Sequence, residues 1–302
     1  MAMDLDALRV FVKVAELGSF TRAADHLGMP KARASQRVQV LEAALGVRLF
    51  QRTTRTVRAT GDGEQLLPRA KQLVADADEV AALFQGNRAL RGTVRVDLPI
   101  TFARDHVLPR LPELLALYPQ LELQVSTTDR RVDVVREGFD CVLSIGNLAA
   151  SGLIVQKLGA LGIVSCASRA YLARHGTPLV LEDLDRHQVV HYSLRFGADT
   201  PSFEYRRGRQ YVLHAMRAAV TVNNADAYRI ACLAGLGIIQ APRTGLLPLL
   251  ADGSLVEILP QLESEPMPVQ LVHAHGRNVP KRVRAVMAWL IAVIRPHVDG
   301  SA

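Results

Sequence analysis

The chain opens with three short segments whose apolar residues recur at the spacing of one helix face, and turns of only a few residues separate them. Gly18 is expected to end the first helix, Ser19 to cap the second, and Pro30 to start the third. The turn between the second and third segments is only residues 27–29, so the pattern predicts a helix-turn-helix whose second member enters the major groove of DNA. The apolar positions are Leu8, Phe11, Val12 and Ala15, then Phe20, Ala23, Ala24 and Leu27, then Ala34, Val38, Leu41 and Leu45.

Positive charge is concentrated in the same region. The chain has a formal net charge of +7, and the stretch 20–58 accounts for +6 of it, with eight Lys and Arg residues against Asp25 and Glu42. A compact basic segment on a nearly neutral protein is typical of a nucleic-acid-binding module, whereas a merely solvated surface usually mixes both signs. The charge pattern therefore favours DNA binding over an ordinary three-helix bundle with a polar outer face.

The third segment is expected to be the recognition helix. Amide, hydroxyl and small side chains lie opposite its apolar face and suit base edges, while the flanking cations suit phosphates. In the stretch 47–60, apolar and polar residues alternate around a basic, threonine-rich tip, which predicts a β-hairpin wing. The predicted DNA-binding residues are Arg22, Lys31, Ala32, Arg33, Ser35, Gln36, Arg37, Gln39, Arg52, Thr53, Arg55 and Arg58.

A second apolar pattern follows, in a segment that Thr60 can cap and whose first turns Pro68 should kink or stiffen. Its apolar residues have the 4-3-4-3-4 spacing of a coiled-coil seam and are Leu66, Ala70, Leu73, Ala77, Val80 and Phe84. A helix with this stripe must bury it, and a second copy of the same helix is the simplest partner. Packing against its own domain is the alternative. Residues 88–92 are expected to form a short hinge.

These N-terminal motifs resemble the DNA-binding domain of the LysR-type transcriptional regulators. The matching segments, in order, are 11–18, Gly18-Ser19-Phe20-Thr21-Arg22-Ala23-Ala24, Leu41-Glu42-Ala43-Ala44-Leu45-Gly46-Val47-Arg48-Leu49-Phe50, Arg52-Thr53-Thr54-Arg55, and Thr60. The chain departs from the family at 30–32, where Ser-Gln-Pro or similar is common, at Ala34 and at Gln36. These positions lie on or beside the predicted recognition helix, so they bear on the target sequence rather than on the fold.

From residue 92 onward, strand-like and helix-like segments alternate, which predicts βαβ units and a mainly parallel sheet. A hairpin is predicted at 205–211. Several short motifs resemble the LysR-type regulatory domain, which is itself similar to periplasmic binding proteins. They are Leu108-Pro109-Arg110-Leu111-Pro112, Tyr118-Pro119, Gly138-Phe139-Asp140, Gly235-Leu236-Gly237-Ile238 and Asp252-Gly253.

The resemblance implies a winged helix-turn-helix at 1–60, a linker helix and hinge at 61–91 that pairs two subunits, and a two-lobed α/β regulatory domain at 92–302. Lobe I is expected at about 92–164 and 267–302, and lobe II at about 165–266. A small-molecule effector would lie between the lobes, because open α/β sheets bind ligands beyond the carboxyl ends of their strands. The candidate effector-binding residues are Ile100, Thr101, Phe102, Thr127, Thr128, Ser144, Ile145, Tyr192, Ser193, Asn223, Asn224 and Gln240.

The expected partners are double-stranded DNA, a small-molecule effector and a second copy of the chain. The family resemblance implies a tetramer, and RNA polymerase is a further candidate partner. An effector with a carboxylate or another polar acceptor is favoured because Thr101 lies at the start of a predicted helix, where free N–H groups suit an anion. Asp105 argues against this preference, since a carboxylate in that first turn already complements the helix dipole.

Two rival functions can be weighed against this hypothesis. An enzyme would be expected to show a GxSxG, Walker-type, GxGxxG or HExxH motif, and none occurs, so we expect no catalysis and no cofactor. A solute-binding protein would fit residues 92–302 alone, but it would not need the basic N-terminal segment. The acidic N-terminus is unlike a signal peptide and no apolar run is long enough to span a bilayer, so a cytoplasmic protein without membrane contact is expected.

The histidines and cysteines favour structural roles. Two histidine pairs, His273 with His275 and His187 with His191, are expected to be surface or core residues rather than metal ligands. The cysteines have no CxxC spacing and lie in apolar sequence, which favours buried small hydrophobes over a zinc site, a disulfide or a thiol sensor. They are Cys141, Cys166 and Cys232.

Overall fold

The computed structural model describes residues 4–52, 57–82, 90–148, 152–275 and 279–298. The chain divides into two compact units, Met1–Gly92 with Val135–Gly138 and Thr93–Val134 with Phe139–Ala302. The first unit contains α1 (Leu5–Leu17), α2 (Phe20–His26), α3 (Lys31–Leu45), β1 (Phe50–Arg52), β2 (Val57–Ala59) and α4 (Gly61–Ala82).

The predicted helix-turn-helix is present, with the expected helix ends. The Ser19 side chain caps α2 by accepting the N–H of Arg22, and Gly18 ends α1 in a left-handed conformation, with φ of 61°. The apolar faces of α1, α2 and α3 form one core. In it the ring of Phe50 lies 5.3 Å from that of Phe11 and 5.7 Å from that of Phe20, so the first residue of the wing is anchored in the helical core.

The wing and the linker helix follow this core. Strands β1 and β2 pair in antiparallel register, which is the predicted hairpin, and its tip at 53–56 lies outside the described residues. In α4, Ala70 is fully buried in the core of the first unit, whereas Leu73 and Val80 are 47% and 62% exposed. The N-terminal part of the seam therefore packs on its own domain, whereas the C-terminal part leaves large apolar side chains exposed. Phe84 lies outside the described residues.

The second unit contains a five-stranded sheet, which with its helices we call lobe I. Its strands lie in the order β4-β3-β5-β14-β6. They are β3 (Arg91–Leu98), β4 (Gln120–Thr127), β5 (Cys141–Ile145), β6 (Ile154–Leu161) and β14 (Met267–His273), and the helices are α5 (Ile100–Phe102), α6 (Leu111–Leu117) and α10 (Lys281–Ile294). A π-helical turn at Ala103–Val107 and a 3₁₀ turn at Leu108–Arg110 join α5 to α6. Side chains of α10 pack on the sheet.

Lobe II, the rest of the second unit, is built on smaller sheets. Strands β12 and β13 flank β7 antiparallel, β8 pairs with β11 parallel, and β9 with β10 forms the predicted hairpin. The elements are β7 (Ile163–Ser168), α7 (Arg169–His175), β8 (Gln188–Tyr192), β9 (Ser202–Arg207), β10 (Gln210–Ala215), β11 (Arg217–Val222), α8 (Ala225–Leu233), β12 (Ile239–Pro242), α9 (Leu247–Ala251) and β13 (Leu255–Glu257). Shorter 3₁₀ turns of lobe II lie at Leu181–Arg186 and Arg243–Leu246, and a third, Arg295–His297, follows α10 in lobe I.

The prediction of a mainly parallel sheet is corrected. In lobe I, β3 pairs with β5 in parallel, but β14 inserts between β5 and β6 and is antiparallel to both. The chain leaves lobe I after β6 and returns as β14, and the direction of this returning strand makes the sheet mixed. Among the described residues, no helix is long and apolar enough to cross a membrane.

Candidate DNA-binding surface and effector site

The recognition helix α3 presents the face that the sequence predicts. Ala34, Val38 and Leu41 are buried, while Ala32, Gln36 and Gln39 are exposed and Ser35 is half-buried. The helix begins after Pro30, whose ring removes an N–H that would otherwise be unpaired. Its N-terminal turns therefore offer one small and several polar side chains on a face that none of the described residues of the first unit covers.

The cations around α3 divide into two groups. Arg22, Lys31 and Arg33 are exposed, and they form no ion pair within the part of the chain that the structure describes. Arg37 instead lies 3.0 Å from an Asp4 oxygen and 3.1 Å from an Asp6 oxygen, so its guanidinium links α3 to the start of α1. The predicted phosphate contact of Arg37 thus competes with two intramolecular ion pairs.

The wing carries Arg58, which is exposed on β2 opposite Gln51. Arg52 is the last residue of β1, but its side chain, Thr53 and Arg55 lie outside the described residues.

One buried residue of this unit escaped the sequence analysis. Glu42 is only 6% exposed, and its Oε1 accepts the N–H of Leu49 at 2.8 Å and that of Phe50 at 3.3 Å. Exposed Arg48 lies 3.4 Å from the other carboxylate oxygen. The signal in the sequence was the position of Glu42 beside Leu41 and one turn before Leu45, on the edge of the apolar face.

The lobe I candidates for effector binding differ in how accessible they are. Phe102 is 4% exposed and packs in the core of lobe I, with its ring 5.5 Å from that of His106. It is therefore a core residue rather than a wall of a ligand site. Ile145 also packs against this core, and Ser144 pairs with Gln270 inside the sheet. Thr127 is exposed at the end of β4, and the Thr128 hydroxyl accepts the N–H of Arg130.

Two lobe II candidates are also engaged internally. The buried hydroxyl of Ser193 donates to the carbonyl of Arg195 or to Asp199. The Gln240 amide lies in a network with Ser165, Ser264 and the backbone of Glu204. These buried polar groups satisfy each other, which is the usual arrangement in a protein interior.

The remaining lobe II candidates lie at or near the start of α8. Asn224 caps this helix by accepting the N–H of Ala227 at 2.9 Å, and Asn223 precedes it as an exposed residue. The Tyr192 ring lies 5.4 Å from that of Tyr228. Burial raises the pKa of both phenols, and for Tyr192 the nearby Asp129 carboxylate raises it further, so both hydroxyls stay protonated at neutral pH.

The two lobes meet where α5 packs against α8, and residues that the sequence analysis missed occupy this place. Asp129 Oδ1 lies 3.2 Å from the N–H nitrogen of Ile100, and Oδ2 lies 2.6 Å from that of Ala225. Arg104 pairs with Asp226 of lobe II and also with Asp105. The hydrogen bond that the Arg104 guanidinium donates to Asp105 lowers the pKa of the Asp105 carboxyl. The N–H of Ile100, at the start of α5, is thus already bonded to a carboxylate of the protein.

A surface pocket of about 400 Å³ lies elsewhere in lobe II, lined by Leu184, Asp185, His187, Ala215, Met216 and Arg217. It contains none of the predicted effector-binding residues. Within the described ranges, no group of three or more His, Cys, Asp or Glu residues could hold a metal ion.

Comparison with known proteins gives the identity of both units. The family model of bacterial regulatory helix-turn-helix proteins of the lysR family matches residues 5–64, and that of the LysR substrate binding domain matches residues 87–295. The chain belongs to the LysR family. It is a LysR-type transcriptional regulator with a helix-turn-helix DNA-binding domain and a substrate-binding domain, which confirms the resemblance noted in the sequence.

LysR relatives resemble the chain along nearly its whole length. It is 40% identical to the HTH-type transcriptional regulator YhjC of Escherichia coli K12 over 98% of this chain and 99% of that protein. It is 35% identical to an HTH-type transcriptional repressor of Pseudomonas aeruginosa, over 98% and 93% of the two lengths. CrgA, a LysR-type transcriptional regulator from Neisseria meningitidis, is similar in structure, with a TM-score of 0.60 at 27% identity over 96% of this chain and 99% of that one.

Proposed function

We propose that this regulator binds specific DNA sequences through α3 and the wing, and that a small molecule bound between lobes I and II controls its activity. The observation that carries the DNA-binding proposal is the exposed face of α3 with Ala32, Gln36 and Gln39. Lys31 and Arg33 flank this face and form no ion pair among the described residues. In this proposal residues 1–60 bind DNA, 61–91 link subunits, and 92–302 regulate. The protein acts by binding and has no catalytic activity.

Self-association through α4 supports recognition of a two-fold-related DNA site. The exposed side chains of Leu73 and Val80 leave an apolar stripe that a second α4 would cover. A dimer with two helix-turn-helix units matches the symmetry of a palindromic operator. Assembly into a tetramer and contact with RNA polymerase are further parts of the proposal.

The effector proposal rests on the strand ends and helix starts that converge between the lobes. Thr127 is exposed there, Asn224 caps α8, and the protonated hydroxyl of Tyr192 lies in the field of Asp129. Phe102, Ser193 and Gln240 contribute to the supporting core rather than to ligand contact.

Genome-wide mapping of bound DNA, followed by binding assays on the sites recovered, tests the proposal. We expect enriched sites with two-fold-related halves, and we expect Gln36→Ala to change which bases are preferred. Arg207→Ala serves as the matched control, because Arg207 is an exposed residue of the lobe II hairpin. Uniform occupancy without an enriched motif would contradict sequence-specific binding.

A further inference from the structure

The contact between lobes I and II centres on one carboxylate. Asp129 follows β4 in lobe I, and its two oxygens accept two backbone N–H groups from different lobes. These groups are Ile100 at the start of α5 in lobe I and Ala225 at the start of α8 in lobe II, at 3.2 and 2.6 Å. Hydrogen bonds to an ionised acceptor are shorter and stronger than neutral ones, so this bridge is a specific contact rather than a chance approach.

A second polar contact lies beside the first. Arg104, in the π-helical turn after α5, pairs with Asp226 in the first turn of α8. Arg229 also lies 3.3 Å from the same Asp226 oxygen. Both contacts join lobe I to the start of α8, since Asp129 follows β4 and Arg104 follows β3, so both would break together if the lobes separated at this point.

The Asp129 carboxylate also provides acceptors for backbone N–H groups at the starts of α5 and α8. The first N–H groups of a helix have no partner within the helix, and Asp129 supplies one for each lobe. A ligand group that accepts the N–H of Ala225 must therefore displace the Asp129 carboxylate from it.

We propose that Asp129 is a built-in tie that holds lobe I and lobe II together, and that effector uptake requires this tie to break. The inference rests on the proposed effector site and adds how that site is regulated. Ligand binding is then coupled to a change in the distance between the lobes. The Arg104–Asp226 pair is an auxiliary contact between the same two lobes.

A distance measurement within single chains tests the tie. Spin labels are placed on Gln124→Cys in lobe I and Glu182→Cys in lobe II, both exposed positions. The native Cys141, Cys166 and Cys232 are buried and should remain unlabelled. The labelled full-length protein is mixed with excess unlabelled protein so that only distances within a chain are recorded, and no ligand is added.

We expect one narrow distance distribution in the parent and a distribution at least twice as broad, or displaced, in both Asp129→Ala and Asp129→Asn. Asn can accept only one of the two N–H groups, because its NH₂ group is a donor, and it keeps the volume of Asp should the Ala variant fail to fold. Asp252→Asn is the matched control, because this exposed carboxylate accepts only from its own turn, at Ser254.

An unchanged distribution in a folded Asp129→Asn protein overturns the tie, as does equal broadening in Asp252→Asn. DNA binding is measured on the same samples. Loss of DNA binding in every sample, the parent included, would count against the proposed function, while the distances would still report on the tie.

Discussion

The buried carboxylate of Glu42 on the recognition helix accepts the backbone N–H of Leu49 at 2.8 Å. The carbonyl oxygen of Leu49 in turn accepts the N–H of Thr60, at 3.0 Å, just before α4 begins. The peptide groups of Leu49 thus join three parts of the first unit, namely α3, the wing and the linker helix. The position of the wing relative to α3 depends on this junction, so changes here should affect both stability and DNA binding.

Replacement of Glu42 by Ala should destabilise the first unit by at least about 2 kcal/mol, because it leaves the buried N–H groups of Leu49 and Phe50 without their charged acceptor. Urea unfolding followed by circular dichroism measures the effect. Glu64→Gln is the control, since Glu64 is an exposed carboxylate in the first turn of α4. Equal unfolding midpoints for Glu42→Ala and the parent would show that the buried carboxylate contributes nothing to the free energy of unfolding.

Replacement of either of two glycines in the first turn of α4 by Ala should have opposite effects on stability. A Cβ on Gly63 would overlap the carbonyl oxygen of Leu49, whereas a Cβ on Gly61 would meet nothing within 4 Å. Gly63→Ala should therefore cost about 1–3 kcal/mol of stability through overpacking. Gly61→Ala should be neutral or stabilising by up to about 1 kcal/mol, because Ala favours helix. Thermal unfolding of both variants compares them, and similar melting temperatures would refute the proposed close approach.

The helix-turn-helix was predictable because apolar spacing, Gly18 and Ser19 all point to the same local structure. Glu42 was not, since the periodicity of apolar residues marks core positions and treats a carboxylate as surface charge. The N–H groups of Leu49 and Phe50, brought there by the chain reversal into the wing, and the nearby Arg48 make burial of Glu42 favourable.

Several residues that the sequence predicts for effector binding are engaged inside the protein. Strand ends indicated the region where the lobes meet, but Phe102 packs inward and the Gln240 amide joins an internal network. Asp129 lies one residue beyond the predicted Thr128. Its partner Ala225 is 96 positions away, and no local pattern in a single sequence signals such a long-range contact.

The cations near α3 should differ in their effect on DNA affinity. Lys31 is free of ion pairs among the described residues, whereas Arg37 is held by Asp4 and Asp6. Lys31→Ala should lower the slope of log affinity against log salt concentration by about 0.9, the value for one phosphate contact. Arg37→Ala should change it less. Fluorescence anisotropy with a labelled operator measures both slopes, and an equal change in both would contradict the distinction.

The wing should contribute phosphate contacts without base preference. Arg55→Ala should weaken binding to all DNA sequences alike and flatten the salt slope, because phosphate contacts carry no sequence information. Ser35→Ala or Gln36→Ala should instead alter preference between sequences. The comparison uses specific and scrambled duplexes at several salt concentrations. Unchanged affinity and slope for Arg55→Ala would show that the wing does not reach the backbone.

The exposed part of α4 should hold subunits together. Leu73→Glu combined with Val80→Glu would place two charges in an apolar seam, where an unpaired charge is costly, and should convert the oligomer to smaller species. Gln65→Glu adds a negative charge at an exposed position of the same helix and should leave assembly unchanged. Sedimentation velocity distinguishes these outcomes, and an unchanged sedimentation coefficient for the double variant would reject this face as the interface.

Hydrogen peroxide should leave DNA binding unchanged. All three cysteines are buried, and burial raises the pKa of the Cys141 thiol. The pKa of Cys166 is raised by a hydrogen bond with the Cys232 side chain and by burial. Because the thiolate is the species that peroxide oxidises, these two thiols should react slowly. Gln36→Cys places a thiol on the exposed face of α3 and serves as the positive control. Peroxide should impair the DNA binding of this variant, and a reducing agent should restore it. A reversible, peroxide-dependent change in the footprint of the parent, abolished by Cys→Ser substitution, would instead make one of the buried cysteines a redox sensor.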